Sequence, residues 1–120
     1  MANIVLKSSL YPMRLSMREK RAGELLIRVE NRGDKDKLLK LDVQLPDTVA
    51  FDKAGINRSI QKRLDIVKAN ESKEFRLPIF TTPRASPGLH TGRVVVAEHA
   101  SNYDYEVARV AKELSFRIIV

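Results

Sequence analysis

The sequence predicts an all-β chain, an antiparallel β-sandwich of about seven to eight strands forming a single domain over residues 1–120. Two observations carry this. Apolar residues recur with period two through most of the chain, the mark of strands with one buried and one wet face. Pro, Gly and Asn interrupt these runs at short intervals, and the strand–helix rhythm that builds a parallel sheet is missing.

The runs follow in order. In MRLSMREK, Met13, Leu15 and Met17 share one face while Arg14, Ser16 and Arg18 take the other. In LLIRVEN, Leu25, Ile27 and Val29 alternate with Leu26, Arg28 and Glu30. In LLKLDVQLP, Leu39, Leu41, Val43 and Leu45 alternate with Lys40, Asp42 and Gln44. Later come Leu64/Ile66, Phe75/Leu77/Ile79, Val94/Val96 and the closing set Leu114/Phe116/Ile118/Val120. The tract from Phe51 to Arg63 reads as a long polar connection with at most a short irregular strand. Residues 103–113 have two readings. Tyr103, Tyr105 and Val107 alternate as in a strand, whereas Val107, Val110, Ala111 and Leu114 also make a helical stripe capped by Ser101. A hairpin strand that bends before the last strand is the favoured reading.

Between the LLIRVEN and LLKLDVQLP runs lies Asn31-Arg32-Gly33-Asp34-Lys35-Asp36-Lys37. Arg32-Gly33-Asp34 is the tripeptide that adhesion receptors read. It is also what a hairpin loop needs, because Asn, Gly and Asp tolerate positive φ and bond their own backbone. The turn explains the tripeptide without further assumptions.

Composition bounds the function. Hydrophobic residues make up 43% and charged residues 31%, as in ordinary globular chains. No apolar run approaches the ~20 residues of a membrane-spanning helix. The start, MANIVLKSSLYPMRL, has no basic region before its short apolar patch and does not read as a signal peptide, so a cytoplasmic location is the default. An excised domain of an extracellular protein would look the same. The chain has no cysteine, which excludes disulfides and thiolate chemistry. The net charge of +7 is concentrated in residues 1–40, where ten Lys/Arg face five Asp/Glu.

Several stretches together resemble a known pattern. LLIRVENRGD resembles the strand and Asn-x-Gly turn that open many immunoglobulin-like domains of prokaryotic proteins. LKLDVQLPDTVAF resembles their next strand and its exit, and VKANESKEFRLPIFTTPRASPGLHTGRVVVAE resembles their polar turn and two following strands. The resemblance, over about residues 22–98, is to the cell-adhesion-related CARDB domains and to the domains appended to alpha-galactosidases. It implies an immunoglobulin-like form for the sandwich and a role as spacer, adhesion or interaction module. Members often carry Tyr where this chain has His90, and they usually belong to secreted multidomain chains.

Groups suited to catalysis are sparse. His90 and His99 are nine positions apart, without the spacing that places two imidazoles on one metal; the first reads as packing at a strand entry, the second as a strand end in solvent. Asp34 and Asp36 are interleaved with Lys35 and Lys37 and lack the bidentate Glu that would complete a calcium loop. No nucleophile elbow and no Gly-rich phosphate loop is present. Asn57-Arg58-Ser59 and Asn70-Glu71-Ser72 match the glycosylation triplet, but both fall in predicted loops where these residues are common. The expectation is a chain that is not an enzyme, with no catalytic residues, metal or cofactor.

The basic surplus is the one candidate site. If Met13, Leu15 and Met17 face the core, Arg14, Arg18 and Lys20 share an outer stripe that Arg21 follows and Arg28 extends, should the two runs be neighbours. Such a stripe suits an acidic protein surface or a polyanion, although basic edges also guard sheets against aggregation. The function expected is a non-catalytic protein-interaction or structural module that takes a polypeptide on a sheet face or edge. The partner is an acidic protein or, through an edge strand, a second copy. The alternative is a small nucleic-acid-binding protein using the Arg/Lys stripe of residues 14–28, a reading weakened by the scarcity of aromatics for base stacking.

Overall fold

The structure, a computed structural model, describes residues 3–18 and 22–120. Among these residues there is no helix and there are nine strands: β1 (Ile4–Tyr11), β2 (Arg14–Ser16), β3 (Gly23–Asn31), β4 (Lys37–Gln44), β5 (Val49–Ala50), β6 (Ser59–Val67), β7 (Ser72–Thr81), β8 (Gly88–His99) and β9 (Glu106–Ile119). They form two sheets, one ordered β1-β3-β7-β5 and the other β2-β9-β8-β4-β6. All pairings are antiparallel except β2 with β9, which run parallel.

The alternation read from the sequence decides which faces meet. Ile27 and Val29 from one sheet pack with Leu39, Leu41, Val43, Val94, Val96, Phe116 and Ile118 from the other, each no more than 1% exposed. Each such side chain contributes about 1.5–3 kcal/mol of hydrophobic stabilisation as an upper estimate, since the unfolded chain already buries part of this surface.

Some expectations need correction. The strand count is nine, because the sequence reading drew no strand from β1, whose second half, Ser8–Tyr11, breaks the apolar alternation, or from β5, which has only two residues. The polar tract after Phe51 is a loop only as far as Arg58, and from Ser59 it is the nine-residue strand β6. The predicted Leu64/Ile66 pair does not share a face. Asp65 takes a left-handed φ of 57° at a register shift between β4 and β6, so Leu64 and Val67 point inward and Ile66 is 52% exposed. Met13 is exposed, so Leu15, buried, and Met17, half-buried against the core, anchor the run between them. Residues 106–113 are strand rather than helix, but instead of bending before the last strand they continue into it as one element, β9, and Tyr103 and Tyr105 belong to the connection before it.

Candidate functional site

The loop carrying Arg32-Gly33-Asp34 is a turn wired from inside. Asn31 is fully buried, and its side-chain amide donates to the carbonyls of Lys35 (2.9 Å) and Val67 (3.0 Å). Its Oδ1 accepts the Gly33 N–H at 3.0 Å, and Arg32 is ion-paired to Glu30 at 2.7 Å. The neighbouring Asp36 carboxylate accepts the Ala69 N–H.

The predicted basic stripe is not one surface. Arg14 lies on β2 of the five-stranded sheet, and Arg28 lies on β3 of the four-stranded one. Arg28 is engaged on both sides, with Glu30 at 2.8 Å and Glu74 at 3.1 Å. These hydrogen bonds raise its pKa and, with Arg32, hold the Glu30 carboxyl down to about 2. Arg18 follows β2, is exposed, and donates its backbone N–H to Ser16 Oγ. Lys20 and Arg21 lie outside the described residues.

What the structure places beside Arg14 is a residue the sequence reading did not select. In the parallel register of β2 on β9, Arg14 is the partner of Arg117. Both project from the outer face, since their chain neighbours Leu15 and Ile118 are buried. Among the described residues neither makes an ion pair. Like charges directly opposite each other are mutually destabilising, so the pair is a local concentration of positive charge. On its other side Arg14 lines a cavity of about 600 Å³ at the β1–β2 corner, which Glu24 and Arg76 also line.

The backbone beside this pair is open. β9 is fourteen residues long and pairs with β8 over nearly all of its length, but β2 covers its other side only at Arg117–Ile119. Among the described residues no strand pairs with Glu106–Phe116 on that side. Which groups face outward follows from one bond. The Ile119 carbonyl accepts the Met17 N–H at 2.9 Å, so Ile119 turns its backbone away from β8. In a regular strand every second residue does the same, which gives Arg109, Ala111, Glu113 and Ser115 N–H and C=O groups directed to the open edge. β1 runs nearby in the other sheet, leaving a cleft of about 310 Å³ between Ser8–Leu10 and Lys112–Phe116.

One of the two histidines, His99, differs from expectation. His90 is half-buried, with its Nε2 2.8 Å from the Ser86 carbonyl. His99 is not a strand end in solvent but is 7% exposed, because the connection before β9 folds back and sets the Tyr103 ring edge-on to it at 5.2 Å. Neither of its ring nitrogens has a hydrogen-bond partner among the described residues. It stands at one end of an outer furrow of about 280 Å³ that Lys40, Asp42, Glu106 and Arg109 also line.

No protein-family model matches the chain. No curated protein sequence matches it either. Solved structures do share its fold. One is described as AvmM, which catalyses macrocyclization in alchivemycin A biosynthesis: 13% identity, TM-score 0.63, covering 97% of this chain and 88% of that one. A FixG-related protein from Vibrio parahaemolyticus gives 11% identity and a TM-score of 0.52, covering 98% of both chains. The alkylpurine DNA glycosylase AlkC of Pseudomonas fluorescens, bound to DNA containing an abasic site analog, gives 12% identity and 0.52, covering 98% of this chain but 31% of that one.

These findings overturn two expectations. The resemblance to immunoglobulin-like CARDB and alpha-galactosidase-associated domains is overturned, since the solved structures that share the fold are AvmM, a FixG-related protein and AlkC. The short motifs behind it, an Asn-x-Gly turn and a Pro-Gly strand entry, are what antiparallel hairpins of any ancestry require. The expectation that the chain is not an enzyme, drawn from the absence of catalytic motifs, is overturned as well. A macrocyclisation catalyst and a DNA glycosylase carry this fold, so it is compatible with catalytic chains.

Proposed function

We propose that the protein is a docking module that accepts an extended polypeptide segment as an added strand along the open side of β9. The carrying observation is the unpaired stretch Glu106–Phe116, whose alternate N–H and C=O groups can continue the sheet, most openly over Glu106–Ala111, since β1 lies beside Lys112–Phe116. Main-chain hydrogen bonds supply affinity in this mode, and side chains at the ends of the groove supply selectivity. Here the Arg14–Arg117 pair stands where the open edge meets β2, and it favours an acidic residue at that end of the incoming strand.

The test is retention of cell-lysate protein on the immobilised chain after nuclease treatment, compared with Ala111→Pro. Proline at 111 removes an N–H that faces the open edge and spares the ladder to β8. The reading expects a retained protein that the substitution releases while the melting curve stays cooperative. Equal retention by the two proteins would defeat it. The adjacency of Arg14 and Arg117 also supports a second reading, nucleic-acid binding. That reading expects nuclease-sensitive material that elutes steeply with salt, is weakened by Arg14→Ala or Arg117→Ala, and is indifferent to Ala111→Pro.

A further inference from the structure

We infer that a strand this edge is built to take is β9 of a second copy of the same chain, laid antiparallel about a two-fold axis through Ala111. The inference rests on the open-edge reading above and names one occupant for it.

Symmetry restricts the registers. A two-fold axis perpendicular to the sheet runs the two strands antiparallel and keeps both core faces on the same side. Residues directly opposite must then have the same parity, so the axis passes through a residue. Centring on Arg109, Lys112 or Glu113 sets arginine on arginine, lysine on lysine or glutamate on glutamate. Centring on Val110 faces Arg109 with Ala111 and Glu113 with Val107, leaving both charges uncompensated. Centring on Ser115 would pair Glu113 with Arg117, but β2 already occupies that level. Centring on Ala111 sets Arg109 opposite Glu113 of the second copy on both sides of the axis, Val110 opposite Lys112, and a small side chain on the axis itself.

The backbone agrees with this register. Arg109, Ala111 and Glu113 are the residues whose N–H and C=O groups face outward, so each opposed pair exchanges two bonds, about six in all. The side chains are also prepared. Glu106 grips the Arg109 guanidinium through two 2.7 Å bonds, fixing its direction while leaving donors free. Glu113 is exposed and has no ion pair among the described residues. The register also carries Glu106 of the second copy to the level of Phe116, one position from the Arg14–Arg117 pair. Val107, which the register shift between β8 and β9 leaves unmatched, is 57% exposed and falls opposite Ser115.

Sedimentation analysis of the full chain, its Glu113→Arg variant and the Arg109→Glu/Glu113→Arg double variant tests this at about 0.15 M salt, where long-range repulsion between the basic chains is screened. The expected result is a concentration-dependent dimer whose dissociation constant rises roughly tenfold in the single variant, which opposes arginine to arginine twice, and recovers in the double variant. A chain that stays monomeric to about 0.5 mM, or a Glu113→Arg variant that dimerises as well as the parent, overturns the inference. Those outcomes leave strand addition by another polypeptide to the Ala111→Pro comparison, which reads the edge itself. A melting curve of each variant separates loss of association from loss of fold.

Discussion

The side-chain amide of Asn31 donates to the carbonyl of Val67, 3.0 Å away, and so ties the β3–β4 turn to the last residue of β6. The same group satisfies Lys35 O and Gly33 N–H, all from a residue with no exposed surface. Replacing it with alanine leaves the buried Val67 carbonyl without this donor and frees the part-buried Lys35 carbonyl, at a cost of about 1–3 kcal/mol. Asn31→Asp should be at least as damaging, since a carboxylate cannot donate to either carbonyl. Urea unfolding with an unchanged slope and a lowered midpoint would bear this out, and a wild-type midpoint would contradict it.

Glu30 gives stability a pH dependence whose sign can be worked out. Hydrogen bonding from Arg28 first, then from Arg32, holds its folded-state pKa at about 2, against an ordinary value of 4.5. The folded state therefore binds fewer protons than the unfolded state between those values. The contribution is fully present above about 4.5 and is lost as pH falls through about 2. Glu30→Gln should be less stable than the parent near neutral pH, with the gap closing as the solution is acidified through that window. Thermal melts across the range decide it: a gap that stays constant with pH would rule out the linkage.

Much of the fold was legible because period two is a direct consequence of the pleat. The runs through Ile27, Leu41 and Val94 read correctly, and each of those residues is fully buried. The reading failed at Ile66, where one left-handed residue shifts the phase, because no rule of alternation announces a bulge. The candidate site was legible only in part. Alternation says that Arg14 and Arg28 face outward, but not that they stand in different sheets. Nor does it say that Arg117, from the far end of the chain, is the true neighbour of Arg14, because strand adjacency is a long-range property. The open side of β9 follows from the shortness of β2: the alternation of MRLSMREK announces a strand, but not that it pairs with β9 over only three residues.

Gly92 is required by space. A Cβ there would sit 2.5 Å from the carbonyl oxygen of Gln44 and 3.2 Å from Pro46 Cδ, at the point where β8 passes the end of β4. The nearest obstacle is backbone, so the strand itself would have to move. Gly92→Ala should cost about 1–3 kcal/mol, read from chemical denaturation. An unperturbed midpoint would mean that β4 yields at Gln44 without loss.

His99 should behave oppositely to Asn31, although both are buried polar residues. Asn31 satisfies its neighbours, whereas the two ring nitrogens of His99 meet no partner among the described residues. A buried N–H without an acceptor carries its full desolvation cost, about 1–3 kcal/mol. Leucine of similar bulk removes that cost and forfeits the edge-on contact with Tyr103, a contact of about 0.5–1.5 kcal/mol. His99→Leu should therefore leave stability unchanged or raise it by about 1 kcal/mol, within the difference of those two terms. His90→Leu is the internal comparison, because it deletes a 2.8 Å bond to the Ser86 carbonyl and should not stabilise. Denaturation midpoints of both variants settle the point. A clear loss in His99→Leu would show that its ring is hydrogen-bonded in solution and would make the furrow beside Glu106 and Lys40 a hydrated polar site.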